Sequence, residues 1–251
     1  MTLLTDNKIK EIVKIVKSDK VLDVGGSMMQ HKMIKVDTLV DIIRPEEAPY
    51  KTSKLTAKKF VRVDITKEKF PFKDNEFDVC LCTHTLEDLS DPTNAIDEMS
   101  RVAKRGLIIT PSMGYDLVFS KFDITNWLIG SRRVPGLAHH KWFFVKEGER
   151  LRIIPKNYPL LYSWKYHMTK WLGDKEMVHT WKGNINYKKV DDLSIHKLIS
   201  EYRKYFEKNS KLMKKSKALF FIDNPVNIIK AYMKVVLRRG RGYKYVGKIH
   251  K

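Results

Sequence analysis

Three β-prone runs in the first quarter of the chain end beside a carboxylate. Lys20 to Val24 carries Asp23, Thr38 to Ile43 carries Asp41, and Phe60 to Val63 runs into Asp64. Buried sheet edges disfavour carboxylates, so packing alone gives no reason for the recurrence. The first run leads into Gly25-Gly26, a pair that lets the backbone turn tightly and approach a ligand closely. Asp41 follows Asp23 by eighteen residues, a spacing suited to a carboxylate that accepts hydrogen bonds from ribose hydroxyls. The pattern points to an adenosine-containing cofactor.

Helical signals fall between and before these runs. Ile9, Ile12, Val13 and Val16 make one stripe of an amphipathic helix expected over Asn7 to Ser18. A fourth β-prone run, Phe77 to Cys82, is nearly all apolar, as a strand covered on both faces must be, and breaks into Thr83-His84-Thr85. After it, Asp91 reads as an N-cap, Pro92 as the first helical residue and Gly106 as the stop. Ala95, Ile96, Met99, Val102 and Ala103 form the apolar stripe of this crossover helix, and Leu107 to Thr110 is the fifth strand, halted by Pro111. Alternation of this kind predicts an α/β chain with a doubly wound, mostly parallel sheet whose ligand sits beyond the strands' carboxyl ends.

Beyond Pro111 the pattern loosens, with strand-like pieces at Trp142 to Val145 and Leu151 to Ile154 and scattered aromatics, among them Trp164 and Trp181. From Ile195 it turns helical again, with Leu198, Ile199, Tyr202 and Phe206 on the same face. The expected organisation is a cofactor half over 1–115, an acceptor half of the same domain over 116–194 and a basic helical extension over 195–251.

Charge supports an anionic partner without naming one. The net charge is +20, and residues 195–251 supply +13 of it from 16 Lys or Arg against 3 Asp or Glu. Lys230, Lys234 and Arg238 recur at i, i+4 and i+8 beside an apolar stripe of Val226, Ile229, Met233 and Val236. Such a helix can lie on an anionic membrane surface or pack its apolar face inward, and the RRGRGYKY tail from Arg238 to Tyr245 offers contacts to phospholipid or RNA. The basic residues are 37 Lys and 12 Arg, and Lys lacks the planar fork that suits phosphate, so a merely solvated surface stays open. The two cysteines, Cys80 and Cys82, point to one side of a strand and read as buried reduced thiols. The N-terminus carries no signal-peptide pattern and no stretch is long enough to span a bilayer, which places the chain in the cytoplasm, with peripheral membrane attachment as an alternative.

The phrases VLDVGGS at 21–27, LVDI at 39–42, VDI at 63–65 and FPFKDNEFDVCLCTHTLEDL at 70–89 resemble the class I S-adenosylmethionine-dependent methyltransferases of small-molecule type. The likeness covers about residues 15–115. It implies a Rossmann-like fold and S-adenosyl-L-methionine as cofactor. Asp23 and Gly25 would line its methionine end, Asp41 bind its ribose, Asp64 with Ile65 contact its adenine, and Thr83 with His84 border the reacting sulfonium, with Gly26, Ser27 and Ile42 completing the cofactor-binding set. Two departures stand out. Ser27 takes the place of the usual second glycine of the loop, and the short segment Ser27 to Asp37 leaves little room for a helix. His140-Lys141-Trp142-Phe143 is similar to a stretch in some family members with a Gly-Gly-Ser loop.

Methyl transfer from a sulfonium is an in-line displacement that needs alignment, exclusion of water and, for weakly acidic acceptors, a base. His84, His139 and His140 are the candidate bases, His84 and His140 being carried forward. Glu87 and Asp88 read as charges at the start of a helix. No metal-ligand set is apparent. The expected acceptor is a small molecule, a lipid-linked compound or a glycan. RNA methylation through residues 195–251 and a noncatalytic binding protein are the alternatives, with a nicotinamide dehydrogenase a weaker rival.

Overall fold

The computed structural model describes residues 4–48, 53–118, 136–137, 139–161, 170–191 and 193–214. Trp164, the basic helix expected around Lys230–Arg238 and the tail from Arg238 lie outside the described residues.

The main sheet has six strands in the order β3-β2-β1-β4-β5-β9. These are β1 (Val21–Val24), β2 (Thr38–Asp41), β3 (Lys59–Arg62), β4 (Phe77–Thr83), β5 (Ala103–Pro111) and β9 (Glu176–Lys182). The first five are mutually parallel, and β9 joins the edge antiparallel to β5. The sheet is therefore mostly parallel, as the doubly wound reading requires. A hairpin of β6 (Trp142–Glu147) and β7 (Arg150–Pro155) combines with β10 (Tyr187–Lys189) in a second sheet, and the short β8 (Lys170–Trp171) and β11 (Met213–Lys214) pair with each other.

The side-chain alternation of the central strands divides the core. Helix α1 (Asp6–Val13) brings Ile9 and Val13 to one face of the sheet, against Val21, Val79, Leu81, Leu107 and Ile109. Helix α2 (Thr93–Val102) covers the other face, where Ala95, Ile96, Met99 and Val102 meet Leu22, Cys80, Cys82 and Ile108. Both cysteines are buried on that one side and unpaired, and burial pushes both thiols up. A further core joins Met113, Phe143, Ile154, Leu198, Tyr202 and Phe206. The helix Ile195–Lys208, capped by Ser194, thus packs into the body of the fold at the start of the basic region.

Several local expectations shift. Helix α1 stops at Val13 rather than Ser18, because Lys14 adopts a left-handed conformation (φ 56°) and the Ile15 amide closes back on Lys10. Val16, expected on its apolar stripe, is left exposed. The N-cap of α2 is Pro92 rather than Asp91, and Asp91 stands one residue before it, its carboxylate accepting the Thr93 amide at 2.9 Å. The segment between β1 and β2 holds only a 3-10 turn, Gly26–Met28, in keeping with its shortness.

Gly106 is the clearest correction. It ends no helix: α2 passes at Ala103 straight into β5, and Gly106 lies inside that strand. A Cβ there would sit 2.2 Å from the Cys80 carbonyl oxygen and 2.6 Å from the Trp181 indole, so glycine leaves room for the β9 tryptophan against β5. Gly148, in the β6–β7 turn, has φ +63° and open space around it. Gly106→Ala is expected to cost about 1–3 kcal/mol or more through overpacking, and Gly148→Ala about 1 kcal/mol through its backbone alone. Equal shifts in urea midpoint for the two variants would contradict this account.

Candidate functional site

The carboxyl ends of β1, β2 and β3 stand side by side. Asp23 pairs in register with Leu39, Asp41 with Arg62, and the Val63 amide donates to the Asp41 carbonyl. Asp23, Asp41 and Asp64 therefore all lie at one end of neighbouring strands.

Gly25 and Gly26 turn the chain at the end of β1. Gly25 has φ +77°, and a Cβ on it would fall 2.1 Å from the Thr85 methyl carbon. Thr85 in turn donates its hydroxyl to the Gly25 carbonyl at 3.2 Å, tying the β4 loop to the first loop. A Cβ on Gly26 would lie 2.0 Å from Oδ2 of Asp23, so only glycine admits that carboxylate. Asp23 is 1 % exposed, and burial pushes its carboxyl up to about 6 against the opposing influence of His31. Asp23 Oδ1 and Ser27 Oγ are buried and have no hydrogen-bond partner. Buried polar atoms in this condition mark a place built to receive further donors and acceptors.

Asp41 spans the first two loops. Its Oδ2 accepts the Ser27 amide at 3.1 Å and its Oδ1 accepts the Ile42 amide at 2.7 Å. Ile42 is 50 % exposed next to it, an apolar face without cover at the rim of the crevice. Asp64 is engaged locally: it accepts the Thr66 amide at 3.0 Å and pairs with Lys67 at 3.1 Å, and the Thr66 and Lys67 side chains hold its carboxyl below the ordinary range. Ile65 buries its side chain in the core, so only its backbone faces the strand ends. Thr83 is buried as the last residue of β4.

His84 follows it with a left-handed backbone (φ 52°) and lies between two carboxylates. Its Nε2 is 2.8 Å from Glu176 and its Nδ1 3.4 Å from Glu87. Burial acts to lower its pKa, but the bonds to Glu176 and Glu87 prevail and raise it to about 9. At neutral pH the ring is a cation, which makes His84 a fixed positive charge rather than a proton acceptor. Glu87 is 2 % exposed, on a single 3-10 turn Leu86–Asp88, so it is a buried partner of His84 and not a solvated charge at a helix start.

His140 lies elsewhere along the β4 turn. Its Nδ1 is 3.1 Å from Asp116, whose same oxygen accepts the buried Lys156 ammonium at 2.9 Å. The Lys141 amide donates to the Glu87 carbonyl and the Trp142 indole to the Leu89 carbonyl, which holds this segment against the turn after β4. On the side of Glu176 a cleft of about 630 Å3 opens, walled by Ser112, Met113, Met177 and Tyr205.

Sequence reasoning did not single out Thr85, Asp116, Lys156 or Glu176 for this end of the sheet. Glu176 reaches His84 across 92 residues through the β5–β9 pairing, and no local pattern carries that information.

Residues 27–110 match the family model described as a methyltransferase domain. The match begins at Ser27 and includes Asp41, Asp64 and the whole β4 turn. Over 106 residues, 41 % of this chain, the sequence is 30 % identical to the uncharacterized protein MJ1123 of Methanocaldococcus jannaschii. The chain spans 49 % of that relative's length. Among solved structures, a SAM-dependent methyltransferase from Aquifex aeolicus is 27 % identical, with a TM-score of 0.33 over 43 % of this chain and 65 % of that one. One from Methanosarcina mazei is 18 % identical, with a TM-score of 0.35 over 58 % and 74 %.

The His84 clamp has a measurable consequence. Its stabilising contribution should be complete below about pH 6.5, the ordinary histidine value, and be lost as pH rises through about 9. In an NMR titration the ring is expected to stay protonated at pH 7.5 and to titrate lower in Glu176→Gln. A midpoint near 6.5 in the unaltered protein would contradict the clamp.

Proposed function

We propose that the chain, whose residues 27–110 match a methyltransferase-domain model, is a class I methyltransferase that binds S-adenosyl-L-methionine at the strand ends and methylates a small-molecule, lipid-linked or glycan acceptor. The observation that carries this reading is the cradle of Asp23, Gly25, Gly26, Ser27 and Asp41. Two glycines there admit no Cβ, and two buried polar atoms await partners.

When bound, the cofactor supplies an electrophilic methyl group on a sulfonium. Asp23 provides a buried negative charge for its cationic methionine end, next to the open backbone of Gly25 and Gly26. Asp41 has its carboxylate fixed by the Ser27 and Ile42 amides, ready to accept the ribose hydroxyls, and exposed Ile42 offers an apolar wall. Asp64 and the Ile65 backbone would serve the adenine, and Thr83 with the His84 backbone would close the crevice toward the acceptor. His84, held as a cation, is not the base. Methyl transfer then needs an acceptor that is already nucleophilic, or a proton acceptor elsewhere along the turn, where His140 stands.

The cleft beside Glu176 supports a small acceptor, since its volume falls within the usual range of about 300–1,000 Å3 for small-molecule sites. Among the described residues no helix is long and apolar enough to cross a membrane. Contact of the basic region with an anionic lipid surface, or with RNA, belongs to this proposal only as a means of bringing the acceptor to the crevice.

Incubation with methyl-labelled cofactor and fractionated cell extract tests the reaction. Label is expected in a small-molecule or lipid extract; label in RNA would replace that acceptor class, and no label in any fraction would favour a noncatalytic role. Asp41→Ala is expected to weaken cofactor binding by about 1–3 kcal/mol through loss of charge-assisted hydrogen bonds, and undiminished calorimetric affinity would refute its role. Because a cationic ligand favours ionised Asp23, affinity should also rise as pH increases through about 6. A flat affinity between pH 5 and 7 would remove Asp23 from the site.

A further inference from the structure

The turn after β4 and the segment before β6 bring together Asp88, His139 and His140. One side-chain ligand atom from each lies within 4.8 Å of the others. His139 Nε2 is 3.8 Å and His140 Nε2 3.9 Å from the same oxygen, Oδ1 of Asp88. That oxygen is buried and has no hydrogen-bond partner. The cluster shares no residue with the Asp23–Asp41 cradle, and the methyltransferase reading uses only His140 of it, as an alternative proton acceptor.

We propose that Asp88, His139 and His140 bind one divalent transition-metal ion of the zinc class, leaving a coordination position open. The donor set decides the class. Imidazole nitrogens with a single carboxylate suit zinc and its neighbours, whereas magnesium and calcium take oxygen ligands. Three protein ligands with a fourth position open is the arrangement of zinc sites that engage a substrate or water rather than merely brace a fold.

The surroundings of His140 support the assignment. Its Nδ1 lies 3.1 Å from Asp116 Oδ2, an ion-pair distance without hydrogen-bond alignment. A small rotation of the ring on metal binding would let Nδ1 donate to that carboxylate, the kind of partner that orients a ligating imidazole. Asp116 is itself immobilised, by the Lys156 ammonium at 2.9 Å and the Leu137 amide at 3.0 Å. Gly136 permits this arrangement, since a Cβ there would come 1.9 Å from Asp116 Oδ1. His139 has a side chain 62 % exposed, which gives an ion its entry path and lets this ligand swing inward. Tetrahedral ligands about 2.0–2.1 Å from zinc stand about 3.3 Å apart. Closing from 3.8 and 3.9 Å toward Asp88 Oδ1 is therefore a shift of roughly half an ångström.

No local pattern marks the site, because Asp88 is 51 residues from His139 and the spacing follows no metal motif. The Lys141–Glu87 backbone hydrogen bond creates the cluster by seating the histidine pair on the β4 turn. If the chain methylates an acceptor, the open position would hold an acceptor oxygen; that role rests on the proposed function, and the site does not.

Zinc binding to the full chain, measured by calorimetry without methyl donor or acceptor, tests the site independently of any methyl transfer. One ion per chain is expected, not displaced by millimolar magnesium, with cobalt(II) giving the visible absorption of a four-coordinate ion. His139→Ala, which alters an exposed side chain, should weaken binding at least tenfold, as should Asp88→Asn. Asp116→Asn should weaken it about 10–100-fold while leaving the stoichiometry unchanged. Absence of stoichiometric zinc binding, or binding that survives both His139→Ala and Asp88→Asn undiminished, would overturn the proposal. Loss of methyl transfer with zinc binding intact would count against the proposed function and leave the site standing.

Discussion

The register of β1 between β2 and β4 is the constraint from which the rest of the molecule follows. Parallel pairing of Asp23 with Leu39 and with Leu81 sets the carboxyl ends of three strands at one edge. Both faces of these strands are covered, so their ends are where the chain can present polar groups to a ligand. The glycine pair then does what no other residue could at that spot, admitting the Asp23 carboxylate on one side and Thr85 on the other. A single slipped residue along β1 would turn Asp23 toward the α2 side and dismantle the crevice.

Charge burial is the second theme of this end of the sheet. His84 lies between Glu87 and Glu176, and Asp116 lies between His140 and Lys156. Removing one partner of such a group leaves an uncompensated charge, which costs far more than the intact pair contributes. These contacts join segments distant in sequence. Glu176 ties the antiparallel edge strand to the β4 loop, and Lys156 ties the β6–β7 hairpin to the residues following β5. The strand ends are thereby held rigid before any ligand arrives.

Much of the first half was legible in the sequence because its signals are local. The apolar run at Phe77, the Gly25-Gly26 turn and the stripe of α2 each specify one element from a few adjacent residues, and all three stand where expected except that Ala103, read as the last of the stripe, opens β5. Gly106 was misread for the same reason. A glycine just beyond an apolar helical stripe carries the local mark of a helix stop, whereas its cause is Trp181, 75 residues away. The shortening of α1 turns on a left-handed Lys14, which composition does not announce. At the site, Asp23 and Asp41 were readable from strand ends, but the state of His84 was not, because the carboxylate that fixes it comes from β9. Likewise, Glu87 read as a surface charge until the turn buried it.

In the proposed function, strand-end carboxylates and a tight glycine turn together hold an adenosine-bearing sulfonium cofactor. Titration with its demethylated product, S-adenosylhomocysteine, followed through backbone amide shifts, probes that cradle. Saturable shifts are expected at the amides of Gly25, Gly26, Ser27 and Ile42, with the helix Ile195–Lys208 unaffected. Shifts confined to that helix and the Glu176 cleft, with the Gly25–Ser27 amides unmoved, would contradict the account.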